Sequence, residues 1–86
     1  MPKGTRHAGV GKGIEKTKGV CGGDARIAGT RIPVWQLVAM RDLGATEAEL
    51  LRDFPGLRPE DLRNAWSYAE AHRAEIQAEI HDNEVA

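Results

Sequence analysis

The sequence predicts a mainly α fold with a short N-terminal β-hairpin: a helix-turn-helix-like three-helix domain with a long C-terminal helix. Three observations lead there. Residues 60–86 contain neither glycine nor proline, so nothing in them ends a helix. Thr46 is followed three residues later by Glu49, the polar pair of a capping box. Ala28-Gly29-Thr30 lies between Arg26-Ile27 and Arg31-Ile32, as a turn lies between strands.

The elements follow in order. Residues 1–13 are rich in glycine and basic side chains and carry little large apolar surface, which reads as a flexible basic arm. Residues 14–86 read as a single domain. Positions 14 to 18 become a strand if an edge is offered. The hairpin covers about residues 20–32, with Gly29 supplying a positive φ. In each flank the isoleucine faces inward and the arginine outward, by strand alternation. The first helix covers about 33–43, opened by Pro33 at its first position and stopped by Gly44. Val34, Leu37 and Val38 share its apolar face.

The second helix covers about 46–54, with Leu50, Leu51 and Phe54 turned inward and Pro55-Gly56 as its end. A short loop leads to the third helix, about 59–81. Glu60 and Asp61 suit its positive N-terminal end. Leu62, Trp66 and Ala69 mark one face, which Ile76 and Ile80 continue. About 22 residues at 1.5 Å each give roughly 33 Å. This helix therefore projects past the other two and carries Ile76 and Ile80 with it.

Eighty-six residues make one small domain, marginally stable alone and helped by a partner or by a homodimer or higher oligomer. The net charge of −1 hides an asymmetry. Residues 1–31 hold seven Lys/Arg against two Asp/Glu, a balance of +5, and the remainder holds five against eleven, a balance of −6. A basic first third points to phosphates or an acidic partner. The single cysteine, Cys21, allows no internal disulfide. With no secretory signal pattern and no long apolar run, the chain reads as soluble and cytoplasmic, with no membrane contact.

Residues 46–68 have the helix-turn-helix layout, whose second helix can enter a DNA major groove. Arg58 and Arg63 at the start of the third helix favour that use, and Glu60 and Asp61 oppose it. Lys12, Lys16, Lys18, Arg26 and Arg31, on the arm and hairpin, are the better electrostatic candidates for DNA. Trp66, Ile76 and Ile80 on the projecting helix are the candidate contacts to a partner or a second copy. The alternative cover for the two isoleucines is the arm or hairpin folded back over them.

Gly9-Val10-Gly11-Lys12-Gly13 resembles the end of a phosphate loop, but glycine stands where the hydroxyl is required, and a flexible linker is the reading. His7, His72 and His81 have no metal-ligand spacing. Cys21 has no inferable base beside it and reads as a small, partly buried thiol. The sequence offers no catalytic constellation, cofactor site or metal site, and the expectation is a binding module, not an enzyme.

Gly22-Gly23, then Gly29-Thr30-Arg31-Ile32, then Phe54-Pro55-Gly56-Leu57-Arg58-Pro59-Glu60-Asp61 occur in an ordered combination. Over about Val20 to Ala71 the chain resembles the domain-of-unknown-function family 433. That resemblance implies a helix-turn-helix-like fold and the antitoxin half of a type II toxin–antitoxin pair. It further implies a cognate toxin, usually a PIN-like nuclease, neutralised by direct binding, and binding of the pair's own promoter DNA. A stand-alone DNA-binding regulator and an assembly adaptor with no DNA role are the alternatives. One departure is Arg58, where the family often has a Thr or Ser cap. Losing that oxygen costs about 1 kcal/mol.

Overall fold

The computed structural model describes residues 9–84. Its elements are β1 (Gly9–Gly11), β2 (Ile14–Glu15), β3 (Arg26–Ile27), α1 (Val34–Asp42), α2 (Glu47–Asp53), α3 (Pro59–Ala71) and α4 (Arg73–Glu84). A 3-10 turn, Cys21–Gly23, sits between β2 and β3. The fold is mainly helical with a small antiparallel β layer at its N-terminal end, as the sequence predicts, but the described residues form four helices rather than three.

The strands pair antiparallel in the order β1-β2-β3, with Ile14 opposite Ile27 and Glu15 opposite Arg26. Residues 14–15 thus find the edge they need. The arm expected over residues 1–13 lies partly outside the described residues. Its described part is no linker, because Gly9–Gly11 pairs with β2. Gly13 has a φ of +70°, and a Cβ there would stand 2.5 Å from Asn64 Nδ2, so the turn after β1 lies directly on α3. The Gly29 turn forms as expected, with a φ of +76° and Ile27 N–H donating to Ile32 O at 3.0 Å.

Helix starts follow local chemistry. Pro33 is extended and stands just outside α1 rather than at its first position. Thr46 and Glu49 close the capping box: Glu49 N–H donates to Thr46 Oγ1 at 3.1 Å, and Thr46 N–H to Glu49 Oε1 at 2.8 Å. At α3 an arginine cap offers no acceptor, so only the return half forms, with Arg58 N–H donating to Asp61 Oδ2 at 2.9 Å.

The core gathers on α3. Leu62 and Ala65 are fully enclosed, and Ile14, Ile27, Leu37 and Leu50 reach the same cluster from the β layer, α1 and α2. Two expectations are corrected here. The third helix is not one long rod: it breaks at His72 (φ −131°, ψ 47°), and α4 turns back to pack on α1 and α3. Ile76 and Ile80 are therefore core residues, 1% and 8% exposed, and not a projecting stripe. What covers them is the helical body itself, not the arm or hairpin.

Arg26 is the second correction. It faces inward and is 8% exposed. Its Nε donates to Thr30 O at 2.9 Å, and its two terminal nitrogens donate to Thr17 Oγ1 and Glu15 Oε1, each at 3.1 Å. The guanidinium ties β2, the following loop and the Gly29 turn into one layer. Removing it leaves Glu15 and a carbonyl without that donor. Arg26→Ala is expected to lower stability by about 2–4 kcal/mol, read by urea unfolding, and Arg26→Lys to recover only part, since one ammonium cannot span the three acceptors.

Candidate functional site

Two surfaces flank α3. The first is a groove of about 240 Å3 between the β1–β2 turn and α3, lined by Gly11, Lys12, Asn64, Ser67, Tyr68 and His72 among others. Lys12 and Ser67 are exposed and Asn64 is half-buried. Arg63, one residue before Asn64 and four before Ser67, is exposed on the adjoining outer face of α3. Arg58 is exposed at the helix start, where its guanidinium lies 3.6 Å from Asp61 Oδ1. Of the two carboxylates that oppose DNA at this helix start, Asp61 is buried and engaged as the cap. Only Glu60 remains exposed there.

The remaining predicted cations divide by burial. Lys18 and Arg31 are exposed in the loops of the β layer. Lys16 is half-buried and pairs with Glu75 of α4 at 3.0 Å. Arg26 is the internal clasp. The sequence-predicted set is thus not one surface: Lys12, Arg58 and Arg63 lie along α3, Lys18 and Arg31 lie on the β layer, and Lys16 and Arg26 are engaged within the fold.

The second surface is the junction that holds α4. Tyr68 Oη donates to Glu75 Oε2 at 2.7 Å, and the Lys16 ammonium meets the same oxygen. The Tyr68 ring stacks on His72, centroids 4.1 Å apart, and His72 Nδ1 lies 3.7 Å from Glu75 Oε1. Burial works to raise the Glu75 carboxyl, but the Tyr68 and Lys16 hydrogen bonds and the lysine charge hold it below its ordinary value. The Glu75 hydrogen bond raises Lys16 in return. Burial, then Glu75, pushes Tyr68 up to about 12. One turn on, Glu79 has a buried Oε1 without a hydrogen-bond partner among the described residues. Burial first, then the charges of Asp24, Glu75 and Asp82, push its carboxyl up to about 7, with Lys16 opposing.

Trp66 is half-buried on the opposite flank. Its Nε1–H donates to Glu47 Oε2 at 3.0 Å, and the Arg41 guanidinium lies 4.3 Å from its ring centroid. Trp66 and Ile76 do come together, but at a surface cleft between α1, α3 and α4 and not on a projecting helix. Sequence reasoning missed Glu15, Thr17, Tyr68 and Glu75. Their contacts depend on the strand pairing of residues 14–15 and on the bend at His72, neither of which a spacing in the sequence signals. Among the described residues no cluster of His, Cys, Asp and Glu is arranged to hold a metal ion. No helix there is long and apolar enough to cross a membrane. His7 lies outside the described residues.

The family model described as "Protein of unknown function (DUF433)" matches residues 14–69. The chain belongs to the DUF433 family. The match begins at β2 and ends within α3, so the shared DUF433 unit comprises the last two strands, α1, α2 and most of α3. A crystal structure of a DUF433 member protein from Anabaena variabilis is similar to this chain, at 55% identity and a TM-score of 0.79. The similarity covers 80% of this chain and 68% of that one. No curated protein matches the chain.

The raised Glu79 gives a signed pH dependence. Its folded value, about 7, lies above the ordinary 4.5. Its contribution is therefore fully present below about pH 4.5 and is lost as pH rises through about 7. Glu75 and Glu49 are lowered, and Lys16 and Tyr68 are raised above 10, so none of these titrates in that window. Stability is expected to fall from pH 5 to pH 8 by about 1 kcal/mol, kept small because the group is partly solvated. Glu79→Gln is expected to flatten that slope in urea midpoints measured at the two pH values.

Proposed function

We propose that this DUF433 protein is a binding module that acts as the antitoxin of a type II toxin–antitoxin pair. In this reading α3 rests on its promoter DNA and another face of the domain holds a PIN-like nuclease toxin. The observation that carries the reading is the α2–turn–α3 unit. The second helix of that unit keeps Arg58, Arg63 and Ser67 exposed, with Lys12 brought alongside from the β1–β2 turn. A helix-turn-helix reads DNA with its second helix, and cations on and beside that helix meet the phosphates.

This moves the DNA contact from the hairpin to α3. Arg26 serves the fold, and Lys16 serves α4. Lys18 and Arg31 are left as peripheral phosphate contacts. The toxin contact also moves, because Ile76 and Ile80 are buried and Trp66 is engaged by Arg41 and Glu47. The surface left for a protein partner is the outer side of α1. Leu43, 89% exposed, follows the half-buried Trp35 and Ala39 there at four-residue spacing. The cytoplasm is the compartment that fits a promoter-binding role.

Lys12→Ala with Arg63→Ala is expected to weaken binding to the upstream DNA of its own operon. The slope of log K against log salt should drop by about 1 for each cation removed. Fluorescence anisotropy across a salt series measures both, and an unchanged slope removes α3 from the DNA face. Co-expression with the flanking genes tests the toxin. A nuclease should co-purify with the wild-type chain and be lost with Leu43→Asp, whose own stability stays within about 0.5 kcal/mol of wild type.

A further inference from the structure

We propose that α4 exchanges between two copies of this chain, so that α3 and α4 form one continuous helix and each α4 fills the other copy's α1–α3 groove. The proposal is independent of the DNA and toxin assignments.

The break at His72 has no local cause. Residues 60–86 lack glycine and proline, and Ala71, Ala74 and Glu75 beside the break are good helix formers. The bonds bracketing it are His72 N–H to Tyr68 O at 2.9 Å and Ile76 N–H to His72 O at 3.0 Å. A straight helix would let Arg73, Ala74 and Glu75 donate to Ala69, Glu70 and Ala71 as well. Two pairs that cross the junction already have helical spacing: Glu70 with Arg73, and His72 with Glu75. Both survive straightening. On a straight helix Leu62, Ala69, Ile76 and Ile80 also fall on one face. Local structure therefore favours the rod, and tertiary contacts impose the bend.

Those contacts are transferable. Ile76 and Ile80 bury themselves against the helical body, and Glu75 takes Tyr68 Oη and Lys16. The Tyr68–Glu75 bond spans seven residues and is lost within one chain when the helix straightens. In an exchanged dimer it re-forms between chains, as do the Lys16 pair and the isoleucine burial. The elbow itself is loosely filled: a cleft of about 280 Å3 lies between α1, α3 and α4, lined by Val38, Asp42, Trp66, Arg73, Ile76 and Gln77. A second copy is the occupant because it presents the same α4 to the same groove, with every closed contact conserved and only the hinge changed. The 12 residues of α4 would reach about 18 Å beyond α3.

The test uses the full chain with Cys21→Ser. One preparation adds Asp42→Cys on α1, and a second adds Gln77→Cys on α4, both exposed and lining the same cleft. They are unfolded together, refolded, and treated with a short bis-maleimide. Exchange places Cys-bearing α1 of one chain beside Cys-bearing α4 of the other. The expected result is a cross-linked heterodimer several-fold above either preparation alone, growing with protein concentration. His72→Gly, which disfavours the continuous helix, should reduce that yield, and His72→Ala should raise it. Light scattering that shows only monomer overturns the proposal. So does a dimer whose cross-linking in the mixture is no greater than in the single preparations.

Discussion

Leu62 and Ala65 sit on a helix that the β layer, α1, α2 and α4 all touch, and that crowding constrains the rest of the molecule. α3 has 13 residues, hence fewer than four turns. Its inner face carries Asp61, Leu62, Ala65, Tyr68 and Ala69 into the protein. One flank serves the β1–β2 turn through Asn64, and the other serves α1 and α2 through Trp66. What remains for another molecule is a narrow outer arc, centred on Arg63 and Ser67. Among the described helices, the one that carries the core on its inner face is thus also the one that presents this exposed arc.

Charge in this protein is sorted by burial more than by position in the chain. The basic first third looks like one surface in the sequence. In three dimensions Arg26 is enclosed by its acceptors, Lys16 is drawn to α4, and Lys12 is displayed beside α3. Asp61 is sorted in the same way among the acids. A carboxylate that repels phosphate when free is largely hidden when it accepts the Arg58 backbone N–H at the helix start, with the exposed Arg58 guanidinium 3.6 Å from its other oxygen. The side chain that departs from the usual cap thereby acquires a partner three residues on.

Local chemistry was legible. The Thr46–Glu49 box, the Gly29 turn, the starts of α1 and α3, and the mainly helical class all rest on residues within four positions of each other. The bend at His72 was not legible, because its cause is the distant groove that accepts Ile76 and Ile80. The inward turn of Arg26 was not legible either. Strand alternation places Arg26 opposite Ile27, yet Glu15, Thr17 and the Thr30 carbonyl each accept from one of its three nitrogens, and a buried guanidinium bonded at every nitrogen overrides a two-residue pattern. For the candidate site, the cations were visible as types and Arg63 as a position. The proximity of Lys12 to α3 required knowing that residues 9–11 form a strand.

That proximity hangs on a position with no side chain. Gly13 combines a left-handed φ with an approach so close that a Cβ would strike the Asn64 amide. Trimming Asn64 would clear the space but leave the backbone conformation unfavourable, so the two positions answer to each other unequally. Position 64 can vary while 13 stays glycine, but the reverse does not hold. A Cβ at position 13 would push against the amide that lines the groove beside Lys12. The chain's tolerance for change at a seemingly featureless glycine is therefore set by the geometry of a face whose chemistry lies fifty residues further along.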